Sequence, residues 1–134
     1  LRYGVMHRNT YINSPGILDK NYSLICDSKK YFAGQISGVE GYVESAASGY
    51  VAGLSAARRL RGLADIDFTD KTAVGALGYY VSRGGVGEFV PMNVNFGIIA
   101  PPDKRIKGRK ADRNEALSAR SLEIIDHIKI NLFE

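Results

Sequence analysis

In this chain of 134 residues the clearest chemical potential lies in glycines, not in acids or nucleophiles. The stretch Ala33-Gly34-Gln35-Ile36-Ser37-Gly38-Val39-Glu40-Gly41 follows a short aromatic strand, Lys30-Tyr31-Phe32-Ala33, and leads into a helical pattern from about Tyr42. Strand, glycine turn and helix start in succession present backbone N–H groups and a positive helix end to a phosphate or another electron-rich ligand. The spacing is neither GxGxxG nor a P-loop, since no glycine triplet of that kind and no Gly-Lys-Ser/Thr occurs. Two readings stand side by side: a cofactor cradle, or a tight structural turn feeding a closely packed helix.

Other reactive types are sparse. Two histidines, His7 and His127, have no HExxH spacing, so metal chemistry is disfavoured and no metal ligand is assigned. The single cysteine, Cys26, forms no internal disulfide, which fits a reducing compartment; it reads as a small buried hydrophobe and takes no catalytic role. Lys104, Arg105, Lys107, Arg109, Lys110 and Arg113 crowd one short segment of a chain whose net charge is +4. Such a run either neutralises polyanion phosphates or is a solvated loop. With no aromatic residue among them, these cations can position a nucleic acid but not read its bases.

Hydrophobic residues at 45% and charged residues at 24% suit one globular domain and disfavour disorder or a coiled coil. No apolar run approaches the ~20 residues that cross a bilayer, so a soluble protein without membrane attachment is expected. Three helices are expected: about Tyr42 to Leu60, about Thr72 to Ser82, and Asn114 to about Lys129 with Leu117, Ile124, Ile125 and Ile128 on one face. Gly62 is a plausible stop for the first, and Ser37-x-x-Glu40 fits a capping box ahead of it. Gly49 and Gly53 inside that helix weaken it, so close approach of a sheet or ligand is expected there. Tyr3 to Ile12 reads as one or two short strands, Ile17 to Ile25 as interrupted extended segments, and Val86 to Ile99 as extended or irregular.

Three motifs together resemble one family. Phe32-Ala33-Gly34-Gln35-Ile36-Ser37-Gly38-Val39-Glu40-Gly41-Tyr42-Val43-Glu44-Ser45-Ala46-Ala47-Ser48-Gly49 is similar to the C-terminal flavin-contacting motif of the folate- and FAD-dependent tRNA (uracil-5-)-methyltransferases. Gly4-Val5-Met6-His7-Arg8-Asn9-Thr10-Tyr11-Ile12-Asn13-Ser14-Pro15 and Phe89-Val90-Pro91-Met92-Asn93-Val94-Asn95-Phe96-Gly97 resemble that family's other C-terminal landmarks, in the same order. The flavoprotein that modifies the tRNA wobble uridine shares the central motif only, and is the runner-up beside a non-catalytic tRNA-binding fragment.

The resemblance implies an α/β fold: the C-terminal part of a glutathione-reductase-like FAD-binding domain with a helical C-terminal extension, preceded by the end of a β-containing inserted domain. Residues 1–25 would finish the inserted domain, and 26–134 the FAD-binding part. The implied activity is cytoplasmic methylation of C5 of a T-loop uridine in tRNA. Methylenetetrahydrofolate would give the carbon, FAD the reduction, and NAD(P)H the electrons. Gly34, Gln35, Ile36, Gly38, Gly41 and Tyr42 would meet the flavin, the helix start facing its N1–C2=O edge. His7 and Tyr42 would hold folate, and Arg8, Lys104, Arg105, Lys107, Arg109 and Lys110 would touch tRNA weakly. The family's GxGxxG and nucleophilic cysteine are not in this sequence. The chain is therefore expected to lack an N-terminal part of the same polypeptide, and to be inactive alone.

Overall fold

Three α-helices and one 3-10 turn form the regular structure of this computed structural model, which describes residues 10–132 apart from Val86, Arg105 and Lys107. The 3-10 turn spans Gly34–Ser37, α1 Tyr42–Leu60, α2 Ala73–Arg83 and α3 Lys110–Asn131. Helix α1 has the bounds expected from its sequence. It stops where Gly62 takes a positive φ of 70° and the Leu63 N–H turns back to donate to the Arg58 carbonyl at 2.9 Å.

Helix α2 starts at a side-chain cap, the Thr72 hydroxyl accepting from the Gly75 N–H at 3.0 Å and donating to the Phe68 carbonyl at 2.7 Å. Two glycines let it sit against other backbone: a Cβ on Gly75 would overlap the carbonyls of Phe68 and Thr69, and one on Gly78 would overlap that of Lys20. Helix α3 starts one turn earlier than the expected Asn114. The Asp112 carboxylate accepts from the Arg109 N–H at 2.7 Å and fixes the helix start there, so Lys110 to Arg113 are helical.

The strands of the α/β expectation are reduced to isolated bridges among the described residues: Leu18 with Leu24, Ser23 with Tyr31, and Val39 with Met92. The reason is local. Asp19 accepts hydrogen bonds from the N–H groups of Asn21 and Ser23 and from the Ser23 hydroxyl, folding Ile17 to Ile25 into a turn in which Tyr22 takes a φ of 67°. Tyr31 to Ala33 pairs at one residue before the 3-10 turn begins, too short a contact for a ladder. Tyr3 to Asn9 of the expected first strands lie outside the described residues.

The core joins Leu18, Tyr22, Val39, Val51, Phe68, Leu77 and Val81, with Ile125 and Ile128 of α3 packed on its edge and Leu117 buried separately. Cys26, expected inside, is exposed. It sits in a tight surface turn closed by the Asp27 N–H on the Leu24 carbonyl at 3.3 Å, beside an exposed Ile25. Gly49 and Gly53 of α1 also depart from expectation. No atom lies within 4 Å of a Cβ built on either, so among the described residues nothing approaches that face closely.

At the C-terminal end of α1, Arg59 joins the N-terminal turn to the linker after the helix. Its guanidinium donates to Asp65 and Asp19 and to the Ser23 hydroxyl, and Asp65 also accepts from Ser55 and Asn21. The hydrogen bond to Asp65 first, then that to Asp19, holds Arg59 well above the usual guanidinium range.

Candidate functional site

The glycine turn is built from the inside by serines. Gly34, at a φ of 72°, donates its N–H to the Ser48 hydroxyl at 2.8 Å, and Ser48 in turn donates to the Ser45 carbonyl at 2.8 Å. The buried Ser37 hydroxyl closes the 3-10 turn onto the Gly34 carbonyl at 2.7 Å. From the first landmark, Ser14 donates to the Ser37 carbonyl at 2.8 Å and the Ile12 N–H to the Ile36 carbonyl at 2.8 Å. Ser37 thus serves the turn itself, and Glu40 donates its N–H to Met92, so the two do not form the expected capping box. Helix α1 begins instead at Gly41, without a side-chain cap on its first N–H groups.

The third landmark closes the other side. Val39 and Met92 pair in parallel, with the Glu40 N–H on the Met92 carbonyl at 3.0 Å and the Met92 N–H on the Gly38 carbonyl at 3.2 Å. Phe89 covers Gly38 so closely that a Cβ there would enter its ring. Tyr80 stacks on Phe89 at 5.3 Å and donates to the Val90 carbonyl at 2.7 Å, tying this segment to α2. Tyr11 meets the same ring edge-on at 6.4 Å. Three segments far apart in the chain therefore converge on one turn.

Beside this turn opens a cavity of about 430 Å³ lined by Gln35, Val39, Glu40, Gly41, Tyr42, Ser45 and Asn93. Its lining mixes two amides, a carboxylate and two hydroxyls, groups that can both donate to and accept from the edge of a flat polar heterocycle. It also adjoins the uncapped start of α1, where the helix dipole favours negative charge. Tyr42 is 98% exposed, so its ring is available to a ligand surface. Of the residues singled out for the cofactor, Gln35, Gly41 and Tyr42 line this cavity. Gly34, Ile36 and Gly38 do not line it: Gly34 is tied to Ser48, Gly38 lies under Phe89, and Ile36 is exposed.

Sequence reasoning missed Asn93 and Ser45. Ser45 stands one helical turn after Gly41 and was legible from α1. Asn93 was not, because only the Val39–Met92 pairing brings it to the cavity. His7, Arg8, Arg105 and Lys107 lie outside the described residues. Lys104 and Arg109 are exposed on the loop before α3, which a Lys71–Asp103 ion pair and Arg120 on the Ala100 and Pro101 carbonyls hold, and Lys110 is exposed at the first position of the helix. Arg109 and Lys110 at this helix start oppose its dipole, and the Asp112 carboxylate in the first turn favours it.

The strongly shifted titratable groups lie elsewhere. Arg59 and its carboxylates sit about 25 Å along α1 from Tyr42, at 1.5 Å per residue, and form a structural network. Among the described residues no group of acids, histidines or cysteine could hold a metal, and no helix is long and apolar enough to cross a membrane.

Residues 1–64 match a family model described as glucose inhibited division protein A. The chain is 50% identical over 125 residues to a Bacillus anthracis protein named methylenetetrahydrofolate–tRNA-(uracil-5-)-methyltransferase TrmFO, covering 93% of this chain and 29% of that protein. A Bacillus cereus protein of the same name is 50% identical over 127 residues, 95% of this chain and 29% of its own length. One from Staphylococcus haemolyticus is 48% identical over 133 residues, 98% of this chain and 30% of its own. The chain is a homologue of these proteins along nearly all its length, and spans less than a third of theirs.

Proposed function

We propose that this homologue of the tRNA (uracil-5-)-methyltransferases is the C-terminal segment of such an enzyme, a flavoprotein that methylates C5 of the T-loop uridine in tRNA. The observation that most supports this reading is identity of 48–50% across 93–98% of the chain to proteins bearing that name. The geometry agrees with it. Ile12 and Ser14 of the first resembling segment and Met92 of the third meet the glycine turn of the second, and a cavity lined by amides, a carboxylate and hydroxyls opens there.

FAD fits this cavity in kind: an uncapped helix start, a glycine N-cap and two amides suit the electron-rich edge of a flavin. Gln35, Gly41, Tyr42 and Asn93 would hold it, with Gly34, Ile36 and Gly38 shaping the turn that presents them. When bound, the flavin supplies the electrons, drawn from NAD(P)H, that reduce the one-carbon unit of methylenetetrahydrofolate. The chain's own residues bind and orient. Tyr42 offers an exposed ring to stack on a pterin, and His7 is its partner in holding folate. Lys104, Arg105, Lys107, Arg109, Lys110 and Arg8 neutralise tRNA phosphates, a contribution that weakens steeply with salt. The nucleophile is supplied from outside this chain. Residues 1–25 end an inserted domain and 26–134 complete the FAD-binding domain, and the protein acts in the cytoplasm, where its tRNA substrate is made.

The full-length protein carrying this segment, incubated with unmodified tRNA, methylenetetrahydrofolate and NAD(P)H, should place a methyl group on the T-loop uridine, read by mass spectrometry of digested tRNA. The 134-residue chain alone should not. Modification at the wobble uridine instead, or tRNA binding with no modification, would sink the reading.

A further inference from the structure

We infer that the outward face of α1 receives a helix from the remainder of the longer polypeptide, with Gly49 and Gly53 at the point of closest approach. This rests on the reading that the chain is one segment of a longer protein. Residues of an α-helix project at about 100° intervals, so Tyr42, Val43, Gly49, Tyr50, Gly53 and Leu60 share one arc of roughly 120°, with two alanines between them. Tyr42, Val43 and Leu60 are 98%, 79% and 90% exposed, and no charged residue falls on the arc. The opposite face, with Ser48, Val51, Ala52 and Ser55, is already buried against this chain's own core. A helix face lying against solvent carries charged residues outward, and this arc carries none, with Glu44, Arg58 and Arg59 all on the other side of α1.

The shape of the arc identifies what covers it. Its large side chains stand at the two ends and flank, and the two glycines stand in the middle, four residues apart, with open space above both. That spacing is the i±4 groove of a helix surface, into which a ridge of a second helix packs, and glycine lets the two axes come unusually close. Each glycine weakens α1 relative to alanine, and nothing among the described residues gives a reason for either. More than two thirds of the length of the related proteins lies outside the region this chain matches, ample chain to supply the second helix. The same surface is continuous with the candidate site, because Tyr42 both ends the arc and lines the cavity. Docking would therefore also wall that cavity.

The test uses the full-length protein. Gly49→Leu and Gly53→Leu should each lower the melting temperature and the flavin kept through gel filtration. The thiol introduced by Gly53→Cys, in a Cys26→Ser background, should resist maleimide in the native protein and react after urea unfolding, as read on its peptide by mass spectrometry. Leu variants that melt at or above the wild type, as solvent-facing helix positions would, would overturn the inference, and so would a freely reactive Gly53→Cys thiol. Protection that appears only with concentration, alongside a dimer in gel filtration, would assign the face to a second copy and also overturn it. If the Leu variants do not fold, the labelling decides. A wild type that fails to methylate tRNA sinks the methyltransferase reading but leaves the labelling result intact.

Discussion

Replacing Gly41 by alanine tests whether the start of α1 is held in a backbone state that only glycine adopts. Gly41 has φ 92° and ψ 146°, close to a region that costs other residues about 1–3 kcal/mol. The added Cβ would overlap the Glu44 carboxylate and lie 2.6 Å from the Asn93 amide nitrogen. Both are ends of flexible side chains, so they move aside at a cost of about 0.5–1.5 kcal/mol in rotamer strain. The expected loss is about 1.5–4.5 kcal/mol. Gly62 is the matched control: it also has a positive φ, 70°, but open space around a Cβ, so Gly62→Ala should cost only the left-handed penalty of about 1–2 kcal/mol. Urea unfolding of the two variants, followed by far-UV circular dichroism, gives the difference directly. In the full-length protein Gly41→Ala should also lower flavin retention, because Asn93, which lines the cavity, is displaced. Equal stability costs for the two variants would refute the assignment of special geometry to Gly41.

Arg59→Ala should destabilise the chain by about 2–4 kcal/mol, since it removes charge-assisted hydrogen bonds and leaves Asp19 and Asp65, each less than a third exposed, without their cation. Burial opposes ionisation of these two acids, but hydrogen bonds outweigh it, from Ser23 and Arg59 onto Asp19 and from Arg59 and Ser55 onto Asp65, so both titrate below 3.8. Their contribution is therefore present above pH 3.8 and lost as pH falls through their lower folded values. The urea midpoint of the wild type should drop on that acid side, and that of Arg59→Ala should drop less. Asn93→Ala, at an exposed position, should change stability by no more than about 0.5 kcal/mol. It should nonetheless reduce flavin or folate retention in the full-length protein, and unchanged retention would remove Asn93 from the site.

Helices were largely written in the sequence. The α1 pattern and Gly62 fixed both of its ends, and Thr72 marked the start of α2, because caps and apolar spacing act over a few neighbouring residues. The start of α3 was not, since Asp112 reaches back one turn and recruits basic residues that read as a loop. Extended segments were over-read for a related reason: strand patterning shows that a segment can pair, while pairing itself depends on a neighbour that Asp19 and the glycine turn pre-empt.

What the sequence determined by itself was the glycine turn, the helix it opens, and three motifs in one order. Tertiary structure decided which residues share the cavity. Asn93 stands far along the chain from Gly41 and reaches it only through the Val39–Met92 pairing, while Gly38, in the middle of the motif, is sealed under Phe89. Local spacing governs hydrogen bonds within a turn or helix, but a cavity wall is assembled by contacts between segments, and those are fixed only when the core that joins them has formed. The same distinction applies to Gly49 and Gly53. Their sequence asked for a close neighbour, and the folded chain shows where that neighbour has room to sit.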